Sequence, residues 1–345
     1  MTARVEDQPQ IPTLRRALGQ FGRRNGLQLG IVGVMLALWL IFIIGAPNTF
    51  LKKDIYRALM QAVPYWGIIA LPLTMLIIAG EIDLSFGSIM GVGMLAFIQV
   101  FKHTDSLGLG LVACLAAGFL VGLSNGIIVT KIGIPSLVAT IGTQYFWRGV
   151  VIVVTNGRGE TLTMTKGSIL RNTLVNRVGG YVPAQMIWMI VVAILVWIIL
   201  NRHKLGAHTY LVGDNENSAR LMGVNVDNTK IMLFALVGLA AAFGGLIQSE
   251  DVWFFWPNLG DGYLLPTLAA VFLGGTSVFG GTGTVLGTFI AAFIIGAIQP
   301  GIIAIGRVNI GPISLNFTGF WTNLLYGLII TLSVSLQTIV RRRVE

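Results

Sequence analysis

Apolar stretches of about twenty residues follow one another along almost the whole chain, separated by short polar turns. A helix needs roughly 20 mainly apolar residues to cross the ~30 Å hydrocarbon core of a bilayer. A series of such stretches restricts the fold to membrane-spanning helices, because a helix satisfies its own backbone hydrogen bonds where no water can reach them. Read with their flanks, the stretches give ten candidate spans, at 28–46, 58–79, 87–101, 107–129, 134–155, 185–201, 231–249, 264–279, 284–305 and 317–339. The third is short, and the eighth and ninth are interrupted by glycines, so neither of those two is required to cross the full bilayer. The predicted architecture is an all-α polytopic membrane protein of about ten transmembrane helices. A lead-in at 1–26 precedes a single transmembrane domain at 27–340, which includes a loop at 202–230, and a tail at 341–345 follows.

Composition agrees with this reading. Of 345 residues, 54% are hydrophobic and 11% charged, where soluble domains carry about 25% charge. The 44 glycines would each cost about 1 kcal/mol in a soluble helix interior, but between membrane helices small residues let backbones approach. The formal charge of +9 raises the question of nucleic acid. The basic residues flank apolar runs instead of forming one stripe: Arg15, Arg16, Arg23 and Arg24 precede the first span, and Arg341, Arg342 and Arg343 follow the last. That distribution argues against nucleic-acid binding and, by the positive-inside rule, predicts both termini on the cytoplasmic side. The single Cys114 excludes an internal disulfide.

Catalytic constellations are missing from the sequence. It has no phosphate-binding G-x-x-x-x-G-K-[ST] loop and no G-x-S-x-G elbow. His103, His203 and His208 lie near helix ends in no metal-ligand spacing. No enzyme activity, metal or cofactor is expected, and any ATP must be hydrolysed by a partner.

Four places carry polar chemistry. Glu81 and Asp83 stand between two apolar runs; Asp83 with Ser85 is suited to capping the following helix, and the alternative is lining or gating a path. In the fifth span Gln144, Tyr145, Trp147 and Arg148, and in the fourth Asn125, need protein or a cavity to face, and Asn125, Gln144, Tyr145 and Trp147 are candidate path-lining groups. Trp253, Phe254, Phe255 and Trp256 after the seventh span read as an interfacial belt, with a path-facing aromatic as the alternative. The stretch Asp214, Asn215, Glu216, Asn217, Ser218, Ala219, Arg220, Leu221, Met222, Gly223 reads as one short helix with a capping residue, an acid in its first turn and a terminating glycine. Two turns are marginal alone in water, so this helix docks either into a partner or against its own spans. The junctions Gly80 to Gly87 and Gly274 to Gly280 also echo one another, as internal repeats of transporters do.

The segments GEIDLSFGS (80–88), IPSLVATIGTQYFWRG (134–149), VGDNENSARLMGVNV (212–226) and AVFLGGTSVFGGTGTVLG (270–287) resemble, in order and over nearly the whole chain, the permease subunits of ABC-type monosaccharide importers, the ribose, xylose and arabinose permease family. Relatives of that family carry nucleosides or other small polar solutes on similar motifs. The resemblance implies a permease in the bacterial inner membrane, paired with a second or homologous copy and contacting membrane lipid. It also implies cytoplasmic ABC ATPase subunits and a periplasmic or extracellular sugar-binding protein. Under it, Asp214 to Gly223 is the coupling helix that sits on the ATPase. Glu81 departs from the family's usual GGIDLS, placing an additional acid beside Asp83. From another class, an ion-driven secondary transporter is the competing expectation, motivated by these two acids and the broken helices.

Overall fold

The structure, a computed structural model, describes residues 14–310, 313–316 and 318–342, with side chains described for 28–307 and 318–339. Residues 1–13 of the predicted lead-in and 343–345 of the tail lie outside the described residues. So do the side chains of the terminal arginines on which the predicted sidedness rests. Residues 14–26 continue the first helix without a break.

The helices are α1 (Leu14–Gly45), α2 (Pro47–Phe50), α3 (Lys53–Ala62), α4 (Pro64–Ile78), α5 (Phe86–Thr104), α6 (Leu107–Ile127), α7 (Ser136–Thr155) and α8 (Ile169–Val175). They continue as α9 (Ala184–Arg202), α10 (Lys204–Asp214), α11 (Glu216–Leu221), α12 (Val226–Val252), α13 (Leu264–Leu273), α14 (Val285–Ile305) and α15 (Phe320–Arg342). Among the described residues eight helices are long and apolar enough to cross a membrane, and a ninth span forms if α3 and α4, bent by 53° at Val63, are taken as one. Pro64 at the first position of α4 explains that bend, since it has no N–H to donate to the carbonyl four residues earlier and its ring crowds the preceding turn. The expected eighth span, 264–279, is corrected: α13 has ten residues and stops at Gly274, because Gly275, Gly280 and Gly281 take positive φ and the chain runs irregularly to Thr284. The expected ninth is instead an unbroken helix of 21 residues.

All fifteen residues of α4 are buried, and α12 is the most buried of the long helices. These two form the centre, while α1, α7 and α15 are the outermost. Alongside α12 runs α6, and the glycines explain how closely. A Cβ on Gly126 would lie 2.6 Å from the Cα of Ile231, and one on Gly122 would lie 3.0 Å from that of Ala235. Small residues at such a crossing replace side-chain interdigitation with direct backbone contact.

The loop 202–230 marks one face of the bundle, here the loop face. Gly281 N donates to Ile78 O at 2.8 Å, so α4 and the segment after α13 end there. At the distal face Asp251, near the end of α12, accepts hydrogen bonds from Tyr65 and Gln61, the latter at 2.7 Å, and from Gln185 at 2.8 Å. From Val252 the chain therefore passes from the distal face to the loop face through the non-helical residues 256–263 and the short α13. Antiparallel two-residue strands pair Glu160–Thr161 with Phe254–Phe255, joining the 156–183 loop to the aromatic segment. In that segment Phe255 is buried, and Trp253, itself exposed, lies 3.6 Å beneath the Arg171 guanidinium.

Candidate functional site

The site begins at the loop face with α10 and α11. Asp214, expected inside the short helix, is the last residue of α10, and Asn215 starts α11 by accepting from Ser218 N at 2.8 Å. An extended Asn215 separates the two helices, so the predicted single helix is the second half of a two-helix element. Gly223 ends it at φ +81, with Val224 N donating back to Ala219 O, a glycine-terminated helix end. Ala219 is fully buried, whereas Leu221 is 89% and Met222 59% exposed. One face of α11 rests on the chain and the other presents large apolar side chains.

Six residues of helix are too few to hold themselves, and charged side chains supply the brace. Arg220 pairs with Glu216 at 3.0 Å and with Asp227 at 2.7 Å, and Asp227 also receives Lys131 at 2.7 Å. Lys230 pairs with Glu216 at 2.8 Å and with Glu81 at 2.7 Å. The hydrogen bond from Lys230 acts most strongly on the Glu216 carboxyl; burial opposes it, and a further hydrogen bond from Arg220 helps hold that carboxyl below the usual glutamate range.

Just before α11, the backbone of Gly213 presses on both glycine-rich junctions. A Cβ there would lie 2.6 Å from Gly281 N and 2.8 Å from Ile78 C, and closer still to Ile78 O. Tyr210, one turn earlier, donates to Gly283 O at 3.0 Å. The segments that echo each other in sequence, after α4 and after α13, are thus adjacent and share α10 as their support.

The junction 79–85 is anchored on several sides. Ile82 N donates to Ser136 Oγ at 3.2 Å and Leu84 N to Thr140 Oγ1 at 3.1 Å, fixing it to the first turns of α7. Asp83 and Ser85 are fully buried. Ser85 donates to Asp83 Oδ1 from its hydroxyl at 2.6 Å and from its N–H at 2.7 Å, and Asn125 Nδ2 donates to Ser85 Oγ at 2.7 Å. Ser85 does precede α5 as its N-cap residue, but its hydroxyl makes no hydrogen bond to the helix N–H groups; it is committed to Asp83. Asn125 is likewise buried in this knot.

The α7 candidates divide by side. Tyr145 is 76% exposed, Gln144 is half-buried, and Trp147 packs against the core. Arg148, one residue beyond, donates to Pro257 O at 2.6 Å, Leu259 O at 2.9 Å and Gly87 O at 3.1 Å, and to Asp261 Oδ1 at 2.7 Å. It clamps the non-helical strand before α13 onto the start of α5, where Gly260 at φ +87 faces Gly87 so closely that a Cβ would come 2.8 Å from the Gly87 Cα. The sequence showed Arg148 in an apolar span but not its acceptors; Lys230, Asp227, Lys131 and Gly213 gave no local signal at all.

The family profile described as branched-chain amino acid transport system / permease component matches residues 55–334. The chain is 34% identical over 263 residues to the ribose import permease protein RbsC of Escherichia coli (strain K12), covering 76% of this chain and 81% of that protein. It is 32% identical over 245 residues to the autoinducer 2 import system permease protein LsrD of Klebsiella pneumoniae subsp. pneumoniae, covering 70% and 74%. With the LsrD protein of Yersinia pestis (strain Pestoides F) it shares 30% identity over 291 residues, covering 83% and 86%.

Proposed function

The chain belongs to the permease-component family of the branched-chain amino acid transport system type, and from that premise we propose that it forms the translocation path of an ATP-binding-cassette importer for a monosaccharide or a similar small polar solute. The solute class follows the relatives, whose names specify ribose and autoinducer 2; a nucleoside is the alternative cargo. ATP is hydrolysed by separate cytoplasmic ATPase subunits, and an external binding protein delivers the solute. A second permease copy completes the path. The protein lies in the bacterial inner membrane with both termini cytoplasmic, which makes the loop face the cytoplasmic one.

The observation that carries the coupling part is the two-sided α11. Burying a leucine or methionine side chain contributes roughly 1.5–3 kcal/mol, so the exposed Leu221 and Met222 favour a partner groove. The buried Ala219 and the ion pairs around Glu216 and Arg220 keep the helix attached to the permease while it is held. ATP-driven approach of the two ATPases moves α11 and, through Gly213, the ends of α4 and of the post-α13 segment. The knot of Asp83, Ser85 and Asn125 then acts at the gate, while Gln144 and Tyr145 on the exposed side of α7 face the path between copies.

In the complex with its ATPase and binding protein, Leu221→Asp should abolish the stimulation of ATP turnover by loaded binding protein. Turnover and uptake at the parent level would exclude a coupling role for α11. For the cargo, thermal shifts of the external binding protein that assembles with this chain should respond to a pentose or hexose; no response to any sugar of a panel would remove the sugar assignment and leave the coupling reading intact.

A further inference from the structure

The Glu81 carboxylate and the coupling helix share one cation. Lys230 Nζ is 2.7 Å from Glu81 Oε1 and 2.8 Å from Glu216 Oε2, and an ammonium has three donors with which to serve both. The Glu81 and Lys230 side chains are 13% and 11% exposed, so their attraction is screened far less than that of a surface pair. Separating them would leave a nearly buried acid without its counter-charge, which costs far more than losing a solvated ion pair. The two groups therefore move together. Glu81 is also fixed within its own junction, through its N–H to Leu76 O at 3.1 Å and through the neighbouring bonds of Ile82 and Leu84 to Ser136 and Thr140.

We propose that Glu81 is a positioning residue for transport: with Lys230 it forms an ionic strut that makes the α4–α5 junction, and the first turns of α7 bonded to it, follow the coupling helix. This rests on α11 being the coupling helix. It adds a side-chain connection to the backbone contact at Gly213, and it gives a purpose to a nearly buried acid at the end of an apolar helix.

The strut is tested by distance measurement. Nitroxide labels are placed at Val138→Cys on α7 and Ile169→Cys on α8, in a Cys114→Ala chain assembled with its ATPase. Both label sites are exposed. ATP with vanadate should shift the interlabel distance in this parent. Glu81→Gln and Lys230→Gln should each reduce the shifted population about fivefold, the effect of losing one well-packed ion pair, and the double variant should lose no more than either single. An unchanged shift in Glu81→Gln, multiplying losses in the double variant, or no shift in the parent would overturn the strut. Glu81→Gln is isosteric, and only the assembled fraction from size exclusion is read, so misfolding cannot imitate the result. Leu221→Asp separates the two levels: a shift that survives it refutes the coupling-helix premise, whereas a shift lost with Leu221→Asp but intact in Glu81→Gln refutes the strut alone.

Discussion

Replacing Arg148 by methionine should be among the most damaging single changes in the membrane domain, and the magnitude follows from what the guanidinium holds. Three of its acceptors are the backbone carbonyls of Pro257, Leu259 and Gly87, and the fourth is the Asp261 carboxylate. Pro257, Leu259 and Gly87 are buried. Each carbonyl left without a donor costs about 1–3 kcal/mol. Methionine fills the aliphatic volume and removes the desolvated charge, which returns part of that loss, so the net destabilisation is on the order of 3 kcal/mol. By the per-residue unfolding entropy for a chain of this length, this lowers the thermal midpoint by roughly 4 °C. The Asp261 arm is different: its side chain is 55% exposed against 11% for Arg148. Asp261→Asn should therefore cost less than ~1 kcal/mol. Both variants are compared by thermal unfolding in one detergent. Equal midpoints for Asp261→Asn and Arg148→Met would refute the assignment of the clamp to backbone carbonyls. A near-parental midpoint for Arg148→Met would refute the clamp altogether.

Gly213→Ala places a methyl against Ile78 and Gly281 where no space exists; overpacking of this kind costs about 1–3 kcal/mol, so its thermal midpoint should fall clearly. Gly142→Ala, where nothing lies within 4 Å, should leave the midpoint level or slightly raised, and equal effects of the two would contradict the contact. The depressed Glu216 carboxyl gives a pH dependence of definite sign. Its stabilisation of α11 is present above the ordinary glutamate value of about 4.3 and is lost as pH falls through the lower folded value. Amide protection of residues 216–221, corrected for intrinsic exchange, should drop on acidification in the parent but already be low and pH-independent in Glu216→Gln; parallel profiles would disprove the brace.

Spans were legible because the bilayer imposes a length and a polarity on each helix separately, information that lies within twenty residues. The same holds for the Asn215 cap and the Gly223 stop of α11, both of which act over three or four residues. The eighth candidate span was harder to read. The 264–279 run has the apolar composition of a span, but whether its glycines continue a helix or take positive φ depends on what they meet, and Gly281 meets Ile78. Ser85 illustrates the limit in one residue: its place before α5 was readable, yet its hydroxyl turns to Asp83 because Asn125, on another helix, donates into the same knot.

Sequence alone determined that this chain is a polytopic helical membrane protein with a short capped helix between two spans and glycine-rich junctions, since those features follow from local composition and solvent. Only the tertiary structure decided what the isolated charges are for. Arg148 and Glu81 each lie in or beside apolar segments, where a charge persists only with partners, and those partners are the 257–261 segment and Lys230. Electrostatic pairing depends on separation in space, and the fold closes those gaps by packing α6 against α12 and α7 against α5 and by bringing the junctions to one face.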